Sequence, residues 1–232
     1  MAKKVYTVTR PLREREGDWR YVKWYWMSEG DDVSQEIDLG FVECFKGTPE
    51  QRRWFRVAVT SGRSIPALYV AKTGKVYFLC GDTYVRCTQE TMTIDEGFPK
   101  SIGSYWPGLK AVGFDSGIDT ILSWDEKTVY LFKGLQYVRY NLETNKVDDG
   151  YPKSIALYWP GFKEAGFDSG LDAFVRWDTD RAYAFKGDQY IRFHIPTNKV
   201  DQAPRTTINY WHPFAALGPS RLMAMYLAGA DE

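Results

Sequence analysis

Asp119 and Asp172 hold the same place in two matched segments, "GIDTILSW" (117–124) and "GLDAFVRW" (170–177). Carboxylates drawn towards one point repel unless a cation lies between them. Hard cations such as Ca²⁺ or Na⁺ take oxygen ligands, backbone carbonyls included. By the same phase the third member of the set is Pro66, which offers only a carbonyl, and the fourth is Asp18. The competing reading is that each Asp simply accepts backbone N–H groups where its strand begins. Arg86, Arg139 and Arg192 also recur at one step. They would either ring an anion or pair with acids of their own or an adjacent repeat, around Asp115 and Asp168. Lys133 and Lys186 read as solvated. The two histidines, His194 and His212, fall where sister segments carry other residues. A non-repeated histidine is where a specific function would be added, although a lone one is commonly just a satisfied polar residue.

No familiar catalytic constellation is present. G-x-S-x-G, H-E-x-x-H, a P-loop and a Gly-rich dinucleotide turn are all missing from the chain. Cys44, Cys80 and Cys87 form no C-x-x-C, and Cys44 beside Glu43 reads as an inert thiol. The chain is therefore expected not to be an enzyme. Its formal net charge is zero, which gives no general pull towards nucleic acid. No apolar run approaches the roughly 20 residues that span a bilayer. The first residues lack an apolar signal core. With an odd cysteine count and no glycosylation sequon, the expectation is a soluble protein of the cytoplasm or another intracellular compartment.

The elements that must position these residues come as a repeat. "EGFPKSIGSYWPGLKAVGFDSG" (96–117) returns as "DGYPKSIALYWPGFKEAGFDSG" (149–170), and Gly81, Gly134 and Gly187 recur every 53 residues. Each unit has a short apolar inner segment, a polar turn, a second strand ("VYLFKG", "AYAFKG") and a third ("QYVRYNL", "QYIRFHI"). The duplicated passage follows as an outer element that "YWPG" terminates. Units of about this length with an apolar face fit the blades of a β-propeller, each buried between two neighbours. Trp106, Trp159 and Trp211 would then be wedges between blades.

Trp124-Asp125 and Trp177-Asp178 do not mark WD repeats, since no Gly-His precedes them, and kelch repeats need a Gly-Gly pair that is absent. The order "IDT"/"LDA", "YLFKGLQYVRY"/"YAFKGDQYIRF", "GYPKSI…YWPGF" instead resembles the hemopexin-like repeat. The resemblance is clear over 64–214 and faint over 1–63. It implies an all-β chain, a single four-bladed propeller with short helices between blades and a narrow axial channel. It also implies an axial ion held mainly by backbone carbonyls at Asp119, Asp172 and Pro66, and haem or a polyamine as ligand classes. His194 and His212 are the candidate haem ligands. The chain departs from animal members in lacking a cysteine pair between first and last blade. Its layout is nearer to free-standing seed albumins and microbial proteins.

Blades two to four are expected at 64–116, 117–169 and 170–214, with 215–232 as a closing segment. Residues 1–63 make a divergent first blade, with strands at 18–27, 41–47 ("FVECFKG") and 53–59 ("RWFRVAV") and no outer passage of its own. Either "KKVYTVTR" (3–10), the favoured candidate, or "PSRLMAMYLAGA" (219–230), which reads as a helix capped by Ser220, would supply that element. The expected function is binding of a small ligand by a monomer or homodimer. The alternative is a defence or toxin-like protein that recognises a glycan or protein of another organism, with the aromatic first blade as its contact face.

Overall fold

A computed structural model describes residues 4–11, 23–28, 35–37, 45–61, 63–207 and 220–228. The fold is a four-bladed β-propeller made of four separate antiparallel sheets. Three strands come first: β1 (Lys4–Pro11), β2 (Lys23–Ser28) and β3 (Gln35–Ile37). The helix α1 (Pro49–Thr60) follows. The second blade contains β4 (Ala67–Val70), β5 (Lys75–Cys80), β6 (Thr83–Thr88), β7 (Thr93–Ile94) and β8 (Lys100–Ser101), and it ends in α2 (Ile102–Tyr105). The third repeats this with β9 (Thr120–Ser123), β10 (Thr128–Lys133), β11 (Gln136–Asn141), β12 (Lys146–Val147), β13 (Lys153–Ser154) and α3 (Ile155–Tyr158). The fourth has β14 (Ala173–Arg176), β15 (Arg181–Lys186), β16 (Gln189–His194) and β17 (Lys199–Thr206). Last comes β18 (Ser220–Ala228), which pairs with β1 to give the sheet order β18-β1-β2-β3.

The ring closes through this last strand. The innermost strands β4, β9, β14 and β18 each neighbour the next, and β18 meets both β14 and β4. The expected C-terminal helix is thus a strand. An apolar run such as "LMAMYLA" has no periodicity that separates buried strand from helix, and the vacant inner edge of the first sheet decides it. The innermost strand of the first blade comes from the far end of the chain, so 18–27 does not supply it. Residues 23–28 of that segment form β2, between β1 and β3.

The segment read as a third strand, 53–59, lies inside α1. Thr48 accepts the Gln51 N–H while the Gln51 side chain accepts from Thr48 N, and Pro49 sits at the first helical position. Phe55 on this helix is fully buried, 3.7 Å from the Phe45 ring and stacked on it.

Phe45-Lys46-Gly47 is the counterpart of Trp106-Pro107-Gly108 and Trp159-Pro160-Gly161. In each case the middle carbonyl accepts an N–H from the next blade: Ile94 to Lys46 at 2.7 Å, Val147 to Pro107 at 3.4 Å and Val200 to Pro160 at 2.9 Å. These donors are 53 residues apart. Residues 45–47, which belong to the segment read as a strand at 41–47, thus take the place of the turn that ends the outer passage, with Phe for Trp and Lys for Pro.

Trp106 and Trp159 are wedges as expected, each 5% exposed. Trp106 lies 5.2 Å from Tyr140 of the following blade, and Trp159 lies 5.1 Å from both Phe174 and Phe193. Trp211 lies outside the described residues.

Candidate functional site

At the axial end of the inner strands, Asp119 Oδ2 accepts the Gly134 N–H at 2.7 Å and Asp172 Oδ2 accepts the Gly187 N–H at 2.6 Å. Each carboxylate so ties its strand to the Gly-X hairpin tip of the same blade, where a positive φ requires glycine. Pro66 faces the same position of the neighbouring strand as they do. Asp119 and Asp172 N–H donate to Phe132 O and Phe185 O, both at 2.8 Å, and Leu79, 53 residues before Phe132, donates its N–H to Pro66 O at 3.0 Å. Phe132 also pairs with Thr120, so Asp119 and Thr120 stand opposite one residue, as in a β-bulge. Further along the inner strand, towards the first turn, the register differs by one residue. Four residues separate Val70 from its partner Lys75, whereas three separate Trp124 from Thr128, to which Trp124 N–H donates. A constant step of 53 hides this insertion. Among the described residues no three His, Cys, Asp or Glu side chains converge as a cation site. Asp18 and His212 lie outside those residues.

His194, on β16, shares a 2.8 Å hydrogen bond with Thr197 Oγ1. Lys133 and Lys186 are not simply solvated, since their ammonium groups donate to the Gly113 and Gly166 carbonyls at 2.7 Å. The arginines pair within their own blades, but with Asp95, Asp148 and Asp201 rather than Asp115 and Asp168. Each partner lies nine residues downstream, beyond the next turn, so the pair braces the outer strands.

Asp95 is the most engaged of these acids, accepting from Arg86 Nε at 2.5 Å and Lys75 Nζ at 2.6 Å. Burial pushes its carboxyl up, but the two cationic donors outweigh this and hold it below the usual carboxylate range. A group whose folded pKa is depressed stabilises the fold above its unfolded pKa and loses that contribution as pH falls through the folded value. Asp95→Asn is therefore expected to lose about 1–2 kcal/mol at pH 7, allowing for the solvent exposure of Arg86. The gap from the parent should close as pH drops from about 5 towards 2. Urea unfolding across that range measures it, and a gap independent of pH would refute the assignment.

A cleft of about 730 Å³ lies between the second and third blades. Its floor is aromatic: Tyr77, Tyr84, Trp106 and Tyr140. The Tyr140 hydroxyl donates to Asn145 Oδ1 at 2.9 Å, and burial pushes the Tyr84 and Tyr140 phenols up. Lys72, Glu126, Lys127 and Glu143 give the rim both signs of charge, with Lys127 and Glu143 paired at 3.0 Å. Aromatic walls with polar and charged groups at the mouth suit capture of a small molecule. No spacing pattern in the sequence announces this cleft, because its residues come from two blades and from separate strands, turns and the end of α2.

The hemopexin family model matches residues 65–111, 118–164 and 171–214. Albumin-2 of Pisum sativum is 37% identical over 127 residues, covering 52% of this chain and 55% of the albumin. The chain thus spans about half the length of that curated relative. A plant albumin from Cicer arietinum showing hemagglutination superposes with a TM-score of 0.68 at 20% identity, covering 88% of this chain and 96% of the other. A plant lectin with two metal-binding sites from Cicer arietinum gives 0.63 at 23%, covering 82% and 87%. At these identities the two structures are similar in fold alone.

Proposed function

The chain belongs to the hemopexin family, and we propose that it is a non-enzymatic binding protein holding a small ligand in the cleft between its second and third blades. The cleft carries this reading. Its volume of about 730 Å³ lies in the range of small-molecule sites, and its walls belong to two blades held together by the Trp106 wedge. The family resemblance suggests a polyamine or haem. The aromatic faces of the floor and the carboxylates of Glu126 and Glu143 would receive the ammonium groups of a polyamine, beside the cationic Lys72, Arg86 and Lys127 of the same cleft. His194 does not line the cleft, so a haem held there would not be ligated by it.

For the axis, the proposal is confined to backbone carbonyls near Asp119 and Asp172, because their carboxylates already bind the hairpin glycines. Thermal melting with spermine, hemin or a chelator tests both parts. Spermine at a hundredfold excess over Kd is expected to stabilise by about 2.7 kcal/mol, and the chelator to lower the melting temperature. No response to either ligand removes the small-ligand reading, and no response to the chelator removes the axial cation. If the ligands are silent while the protein agglutinates erythrocytes in a sugar-inhibited way, glycan recognition replaces it. That alternative draws on the lectin and the hemagglutinating albumin above.

A further inference from the structure

At the end of the first strand the cleft differs from its sister between the third and fourth blades. There, the first-strand register ends in Trp124. Its indole stands edge-on to Tyr130 (5.7 Å, 82°) and Trp159 (6.1 Å, 78°), and the Arg176 guanidinium of the fourth blade lies 5.3 Å above it. The fourth blade repeats the arrangement with Trp177 edge-on to Tyr183 (6.1 Å, 87°). In the second blade, the pairing of Val70 with Lys75 puts valine at this position. The receiving rings are unchanged in kind. Tyr77 meets Trp106 at 5.9 Å and 84°, as Tyr130 meets Trp159 at 5.6 Å and 89°. The second blade keeps the seat for an indole and lacks the indole.

We propose that the recess beside Val70 is an aromatic subsite: it takes the planar ring of a small molecule in place of the tryptophan that the next two blades supply themselves. Val70, Tyr77 and Trp106 all line the cleft, so the seat is open to it. Edge-on contacts with two aromatic rings favour a flat π-system over an aliphatic group of equal size. An apolar recess with a defined shape binds a matching ring without rearrangement. Lys72, Glu126 and Glu143 at the mouth suit a ring that carries a polar or charged substituent. The subsite rests on the reading of the cleft as a ligand site and adds to it which chemical group the inner end accepts.

Indole itself is the probe, followed by saturation-transfer NMR and by calorimetry on the full chain. The parent protein is expected to bind one indole, and Val70→Trp, which inserts the missing ring, to bind it at least tenfold more weakly. Trp124→Val, which vacates the sister seat, is expected to raise the stoichiometry from one to two. Absence of binding to the parent, or equal binding to Val70→Trp, overturns the subsite. If Val70→Trp does not fold, Trp124→Val decides: a stoichiometry that stays at one overturns it. A silent indole titration beside a positive spermine or hemin response rejects the subsite and leaves the proposed function standing.

Discussion

Trp159→Ala is expected to lower the free energy of unfolding by about 3–5 kcal/mol, the largest effect of any single truncation between the third and fourth blades. The indole is 5% exposed and touches Phe132 and Tyr137 of its own blade as well as Phe174 and Phe193 of the next. Removing it opens a void between two sheets whose backbones are held by their own ladders, so neither can collapse to fill it. Trp159→Phe should cost far less. It keeps an aromatic wedge and deletes an indole N–H that has no hydrogen-bond partner. Urea midpoints at unchanged m-value measure both. A loss below about 1 kcal/mol for the alanine variant would show that the blades adhere without the wedge.

Gly161→Ala should be nearly as damaging, by about 2–4 kcal/mol, for two separable reasons. Its φ is +91°, and a Cβ there would lie 2.6 Å from Cβ of Val200 and 3.0 Å from Cγ2. The crowding follows directly from the hydrogen bond between Val200 N–H and Pro160 O, which draws the outer strand of the fourth blade onto the Trp-Pro-Gly turn. Gly166, at φ +75° with nothing within 4 Å of a Cβ, separates the two contributions. Gly166→Ala should show only the backbone part, about 1–2 kcal/mol. Adding Val200→Gly to Gly161→Ala should recover part of the loss, because it removes the Cβ that the new methyl would meet at 2.6 Å and leaves φ strained. Equal effects at Gly161 and Gly166 would mean that the close approach of the blades contributes nothing.

Three blades were legible because each is made from one continuous stretch with its turns in order. The hairpin glycines Gly81, Gly134 and Gly187 and the repeating arginines keep a step of 53, and Trp106-Pro107-Gly108 returns at the same step as Trp159-Pro160-Gly161. The first blade was not legible for a physical reason. Its innermost strand, Ser220–Ala228, pairs with Lys4–Pro11 from the opposite end of the chain, and no local pattern encodes a partner so distant. The T-P-E-Q run at 48–51 did carry a capping box and an N-terminal proline. It was masked because "RWFRVAV" also echoes a strand, and α1 wins by burying Phe55 and Ala58. At the site, the repeat placed Pro66, Asp119 and Asp172 in one phase, while the constant step hid the extra residue in the second blade's first turn that matches Val70, not Ala71, to Trp124.

The sequence by itself determined the blade, its turns and the chemistry of its wedges, since these depend on residues close along the chain. Tertiary structure decided how the ring closes, that the two aspartates serve hairpin glycines, and that Val70 leaves an aromatic seat open. Those outcomes depend on register and on pairing between distant strands. One inserted residue in a turn moves every side chain of the strand before it to a new neighbour, and only the paired sheet reveals which neighbour that is.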